Sequence, residues 1–203
     1  MQYRKDGSEI ATELRHRICM MQSVSDQITL HEGALATEFG VSRTPIRQVL
    51  QKLAYERLVE TRSGVGTIVS PLVAGDRDRD VKVLKVLMTA CATCCEGGDV
   101  PAIYRERLSV ASAMADSMAP TKEAYLEIRG QLLDISASAL PDDILADALR
   151  AAHWRHIRWR MAEGAGEDEE ARERLRVTAR TAAEAAQRND MSGIYSAMAG
   201  QLI

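Results

Sequence analysis

Apolar side chains recur at three- and four-residue spacing through Ile10, Ala11, Leu14, Ile18 and Met21, with Glu9, Glu13, Arg15 and Arg17 between them. That period predicts an amphipathic helix over about 8–21, capped by Ser8. A polar stretch, 22–27, separates it from a shorter helix over about 32–39, whose apolar positions are Ala34, Leu35, Ala36 and Phe39 and which Gly40 ends. A third helix starts at an N-cap Ser42, tolerates Pro45 in its first turn, and runs to about residue 56 with Ile46, Val49, Leu50 and Leu53 as its buried stripe. The period then changes to two. Residues 58–61 and 66–69 alternate around Arg62-Ser63-Gly64-Val65, which predicts a small hairpin with a glycine-containing tip. Three helices followed by a hairpin is the winged helix-turn-helix order. Beyond residue 70 the composition shifts to Pro, Gly and alternating Asp and Arg, and then to helix alone. The expected helices lie near 79–96, 101–118, 121–139, 142–163, 167–188 and 190–202, with Asp99, Thr121 and Asp190 as caps. The fold expected is therefore mainly α: a winged helix-turn-helix domain over 1–75 and an all-helical six-helix bundle over 76–203.

Composition narrows the function classes. No stretch approaches the roughly 20 uncharged apolar residues of a membrane span, since the richest run, 83–95, is broken by Lys85. The charged start of the chain carries no apolar signal core, so a cytoplasmic location and no membrane partner are expected. Cys91, Cys94 and Cys95 share one helix face at i, i+3 and i+4. A Cys-x-x-Cys pair invites a zinc or redox reading, yet no second pair of ligands is visible, and buried Cys is a common small hydrophobe. The net charge of −3 hides an uneven distribution. Residues 1–75 hold nine Lys+Arg against eight Asp+Glu, and the remainder 17 against 21. Nucleic-acid affinity would have to come from the placement of a few cations rather than from bulk charge.

Such a placement exists. In Leu30-His31-Glu32-Gly33-Ala34-Leu35-Ala36-Thr37-Glu38-Phe39-Gly40-Val41-Ser42-Arg43-Thr44-Pro45-Ile46-Arg47-Gln48-Val49-Leu50, Gly40 supplies a tight turn and the next helix carries polar side chains at its N-terminal end. Arg43 and Arg47, four apart and on one face beside Thr44 and Gln48, are the residue types that contact guanine, adenine and phosphate in a major groove.

This segment resembles the DNA-binding domain of the GntR family of bacterial transcription regulators from Phe39 to Leu50, almost position for position, and Glu60-Thr61-Arg62-Ser63-Gly64-Val65-Gly66-Thr67-Ile68-Val69 resembles its wing. The resemblance covers about residues 8–71. It implies DNA contacts from Arg43, Thr44, Arg47 and Gln48, with Arg62 and Gly66 near a minor groove. It further implies a homodimer on a palindromic double-stranded DNA operator, acting by family habit as a repressor. Many members carry Arg where this chain has Gly33, so that contact is missing here.

The helical remainder resembles the effector-binding domain called FCD in its shorter, VanR-like form, which implies a small-molecule effector. Many such domains hold a divalent metal on an acidic residue, a His four positions on and two further His. Alignment puts Glu127, Gln131, Ala179 and Gln201 at those positions, so all three histidines are missing and no metal or other cofactor is expected. Arg129, Arg155 and Arg158 are candidate cations for an anionic metabolite, with Glu127 and Gln131 beside them. His153 and His156, next to Trp154 and Trp159, read as surface or partly buried polar residues, a relocated metal site on them being the alternative. No nucleophile with a base, no phosphate loop and no carboxylate pair stands out, so an enzyme is not expected. Two alternatives to a metabolite-responsive DNA-binding regulator stay open: a winged-helix protein-interaction scaffold and a thiol-based redox regulator.

Overall fold

A computed structural model describes residues 6–21 and 28–200. The polar stretch 22–27, and Gln201 with the end of the last expected helix, lie outside the described residues.

Helix α1 (Gly7–Met20) is capped by Asp6, two residues earlier than the expected Ser8. Its Oδ1 accepts from the amides of Ser8 at 2.7 Å and Glu9 at 2.9 Å, and Glu9 returns the bond to the Asp6 amide at 2.8 Å. A carboxylate that takes two amides at once completes the capping box, which leaves Ser8 inside the helix. Helices α2 (Glu32–Phe39) and α3 (Arg43–Tyr55) follow, then strands β2 (Val59–Arg62) and β3 (Gly66–Val69). A further two-residue strand, β1 (Thr29–Leu30), adds to β3 and completes an antiparallel sheet of order β1-β3-β2, with Thr29 opposite Ile68 and Val59 opposite Val69. Two residues are too few for alternation to show, so this strand is invisible in the sequence pattern. Ile10, Leu14, Ile46, Leu53, Leu58 and Val69 fill the core these elements share.

After a 3₁₀ turn (Ala74–Asp76) come α4 (Arg77–Cys94), α5 (Ala102–Asp116), α6 (Lys122–Ser138), α7 (Asp143–Ala162), α8 (Glu169–Gln187) and α9 (Met191–Gly200). Thr121 caps α6 through the amide of Ala124, and Asp190 accepts from Gly193 at 2.8 Å, both as expected. Asp99 does not cap α5. Pro101 stands at that position, and Asp99 accepts instead from Asn189 Nδ2 at 2.6 Å. Helix α4 packs against α7 and α9, and α5 against α6 and α8. The buried side chains between them include Leu84, Met88, Leu108, Leu132, Leu149, Ile157, Leu175 and Tyr195.

Gly166, between α7 and α8, is where backbone meets backbone. A Cβ there would lie 2.7 Å from both the Lys122 nitrogen and the Thr121 carbonyl oxygen at the start of α6, and neither atom can rotate away. Gly166→Ala is therefore expected to lower unfolding free energy by about 1–3 kcal/mol, the usual cost of overpacking. Chemical denaturation of the variant, monitored by helical circular dichroism, checks this.

The winged-helix elements and the bundle meet along α1, which packs on α6 and α7. Cys19 enters the bundle core from α1, and Trp154 of α7 touches both cores. The Arg15 guanidinium lies 5.7 Å from the centre of the Trp154 ring while forming an ion pair with Glu56. On the other side Arg158 donates to the Ser70 carbonyl at 2.5 Å.

Candidate functional site

Gly40 takes a left-handed conformation with φ 64°, and its amide and that of Val41 return to carbonyls of the last turn of α2, at Thr37 and Ala36. That closing turn aims α3 away from α2, as residues with a Cβ rarely permit. Ser42 occupies the N-cap in extended conformation without a side-chain cap bond. Ile46, Val49, Leu50 and Leu53 turn inward, so the opposite face of α3 presents Arg43, Thr44, Arg47 and Gln48 to solvent. At the hairpin, Arg62 pairs across the ladder with Gly66, whose φ of 107° suits glycine, and both are exposed. The six residues expected to meet DNA thus stand on solvent-facing parts of α3 and the wing.

Two of these cations are already engaged within the protein, which sequence reading missed. Arg47 forms a forked pair with Glu32 of α2, Nε to Oε1 at 3.1 Å and Nη2 to Oε2 at 2.9 Å. That bond, with Arg47 and then Arg43 charge added, holds the Glu32 carboxyl below its ordinary range. Arg62 grips Glu60 at 2.7 Å. Arg43 lies over Gly33, its Nη2 being 3.4 Å from where a Cβ would stand. The missing side chain at 33 is the space Arg43 folds back upon. Such exposed pairs are weak and exchange readily for phosphate oxygens.

The five residues expected at the effector site are not brought together. Glu127 and Gln131 line a cleft of about 1030 Å³ between the winged helix and the bundle, beside Arg15, Lys52 and Trp154. Arg158 reaches the Ser70 carbonyl, and Arg155 pairs with Asp80 of α4 at 3.2 Å. Asp80, buried, also accepts from the Trp159 indole at 3.1 Å. Arg158 and Arg129 are both buried, but of the two only Arg129 has a buried nitrogen, Nε, without a hydrogen-bond partner. Arg129 is 6% exposed, on the same apolar stripe of α6 as Tyr125, Ile128 and Leu132.

Near it, against the expectation of surface or partly buried positions, His153 and His156 of α7 are only 1% and 3% exposed, with ring centres 6.4 Å apart. They follow the Leu149, Ala152, Ile157 face that the helix turns to the core. Burial first, and the Arg129 charge second, push both imidazoles well below their usual pKa; burial likewise lowers that of Arg129. A resident divalent metal does not fit this cluster, since a buried guanidinium sits beside both imidazoles and no carboxylate among the described residues joins them; Glu127 and Gln131 face the cleft, and Ala179 offers no donor. Among the described residues no group of three or more His, Cys, Asp or Glu is placed to hold a metal.

Cys91 and Cys95 are buried, and burial pushes Cys91 up to about 12, far from the thiolate that redox chemistry needs; Cys94 is exposed.

A winged helix-turn-helix joined to an all-helical bundle, with a polar helix face and wing, defines a winged-helix protein by architecture. Residues 7–69 match the family described as bacterial regulatory proteins, gntR family. Over 61 residues the chain is 38% identical to the mannosyl-D-glycerate transport/metabolism system repressor MngR of Escherichia coli (strain K12), a match that covers 30% of this chain and 25% of that protein. The chain thus matches about a quarter of that relative's length. Among solved structures it is similar to E. coli McbR/YncC, with a TM-score of 0.67 at 17% identity over 97% of this chain and 92% of that one. It is also similar to a transcriptional regulator GntR from Rhodococcus sp. RHA1, with a TM-score of 0.56 at 18% identity over 97% and 93%. At these identities the likeness is one of fold, and it spans headpiece and bundle together. Among the described residues no helix is long and apolar enough to cross a membrane.

Proposed function

We propose that this chain is a DNA-binding transcriptional regulator that reads a palindromic operator as a homodimer, with residues 1–75 as the DNA-binding domain and 76–203 as an FCD-like domain for dimerisation and effector binding. The observation that carries the reading is the exposed set Arg43, Thr44, Arg47 and Gln48 on the polar face of α3, beside a wing that presents Arg62 and Gly66. In this reading α3 enters the major groove with its N-terminal turns foremost, and the wing approaches the neighbouring minor groove. Arg47 and Arg62 leave Glu32 and Glu60 for the DNA, and Arg43, lying over Gly33, swings outward. One headpiece has few phosphate contacts, and a two-fold pair doubles them. Its similarity to the repressor MngR over 61 residues supports repression. A small molecule bound in the bundle shifts operator affinity because α7 belongs to the bundle core yet also holds the headpiece through Trp154 and Arg158.

Retention on duplex DNA at rising salt tests this. Affinity is expected to fall linearly in log–log form, with a slope of about −0.9 for each phosphate neutralised. Arg43→Ala is expected to weaken binding by about 1–3 kcal/mol, the worth of one forked arginine–base pairing. Retention that ignores salt, or an Arg43→Ala variant that binds as tightly as the parent, would overturn the reading in favour of a protein-binding winged helix.

A further inference from the structure

The bundle interior holds polar atoms that nothing among the described residues satisfies: Nε of Arg129, both ring nitrogens of His153, and Nδ1 of His156. Each belongs to a side chain more than nine-tenths buried. The charges that face them have the same sign. Arg160 of α7 and Arg77 of α4 add positive potential at His156, and both are held by the one carboxylate of Glu163. Arg160 adds positive potential at Arg129 as well, and Tyr125 stands one turn before it on α6. A guanidinium buried without a counter-charge is costly, and proteins pair such groups or replace them. Methionine or leucine would pack this stripe of α6 without that cost. An unmatched cation flanked by two imidazoles is instead the donor set that an oxyanion satisfies: a planar guanidinium that takes two oxygens, and ring N–H groups for the others.

We infer that Arg129, His153 and His156 form a binding site for a small oxyanion, of the carboxylate or phosphate class, held directly by nitrogen donors with no bridging metal. The inference rests on the reading of the bundle as a small-molecule-binding domain and names the chemistry of that site. The site is placed to be sensed. Its two histidines flank Trp154 along α7 and lie within a turn or so of Arg158, so the helix that closes on the anion is the one that holds α1 and Ser70.

The test uses the full chain, with inorganic phosphate and malonate as separate probes and sodium chloride at matched ionic strength as control. At least one probe is expected to raise Tm saturably, by about 5–10 °C at a hundred-fold excess over Kd. Arg129→Met is expected to melt in chloride at or above the parent and to lose the shift. His156→Gln, which leaves Arg129 in place, is expected to weaken the probe at least tenfold by titration calorimetry. A response to phosphate alone or to malonate alone assigns the class. The inference is overturned if neither probe exceeds chloride, if Arg129→Met keeps the shift, if that variant melts far below the parent in chloride, or if His156→Gln binds the probe unchanged. Duplex-DNA retention in chloride is read in parallel. Loss of the anion response with DNA binding intact counts against this site alone, whereas failure of the parent to bind DNA counts against the regulator reading alone.

Discussion

Glu56→Ala is expected to destabilise the headpiece by about 3–5 kcal/mol, the cost of removing one partner from a buried ion pair. Glu56 closes α3 and is 5% exposed. Its two carboxylate oxygens accept from Nε and Nη2 of Arg15, each at 2.7 Å, and so tie the end of α3 to the middle of α1. The same guanidinium lies against the Trp154 ring of α7. Without the carboxylate it stays against the indole at the edge of the cleft, its charge left without a partner. Glu56→Gln keeps one acceptor and is expected to cost less. In the double change Arg15→Met with Glu56→Leu no charge is stranded, and most of the stability should return. Urea denaturation of the three variants measures the series, and duplex-DNA retention reports whether the headpiece is the part that melts. A loss of under about 1 kcal/mol for Glu56→Ala, or a double variant no better than the single, would show that the pair is not a joint of this fold.

Acid is expected to weaken the protein above the pH range where carboxylates titrate. His153 and His156 are buried neutral, with folded pKa values well below the 6.5 of a free imidazole. The sign follows from which state binds protons. Above 6.5 neither state is protonated at these groups and they add no pH dependence. Below it the unfolded chain takes up protons that the folded one refuses, so stability falls as pH drops toward the folded values. The slope is at most about 1.4 kcal/mol per pH unit for each histidine, or about 4 kcal/mol for both between pH 6.5 and 5. Arg129, Arg160 and Arg77 all oppose protonation of this pair, and Glu163 is committed to the last two. Urea midpoints in chloride buffers at pH 7, 6 and 5 should therefore decline, and the variant with both histidines changed to Gln should flatten the decline. A parent stability constant over that range would sink the prediction.

Much of this architecture is legible from periodicity because each helix buries one stripe. Ile10, Leu14 and Ile18, or Ile46, Val49, Leu50 and Leu53, declare their inward faces by spacing alone, and those faces are buried. The candidate DNA-facing residues are legible for the complementary reason: whatever lies opposite a buried stripe on α3 is exposed, so Arg43, Thr44, Arg47 and Gln48 needed no tertiary information. The capping of α1 by Asp6, in place of Ser8, turned on which of two neighbouring side chains reaches two amides, a matter of a single φ,ψ pair. The Glu32–Arg47 pair depends on the angle between α2 and α3, which spacing does not report.

The helical domain divides differently. Arg129 stands in the stripe of Tyr125, Ile128 and Leu132, and His153 and His156 in that of Leu149, Ala152 and Ile157; a charged or polar side chain inside an apolar period was the available signal. Judged one helix at a time, each could be a solvated stem at the margin of its stripe. The sequence by itself determined the number and faces of the helices it punctuates with Gly, Pro, Asn and Asp, and the polar surface of α3. The tertiary structure decided which arginine is left unpaired: it gave Arg155 to Asp80 and Arg158 to Ser70, turned Glu127 and Gln131 toward the cleft, and left Arg129 facing two buried histidines. Helical period is local, set by the backbone of one segment. Charge pairing is not, because it depends on which faces of two helices meet and how far water is kept away.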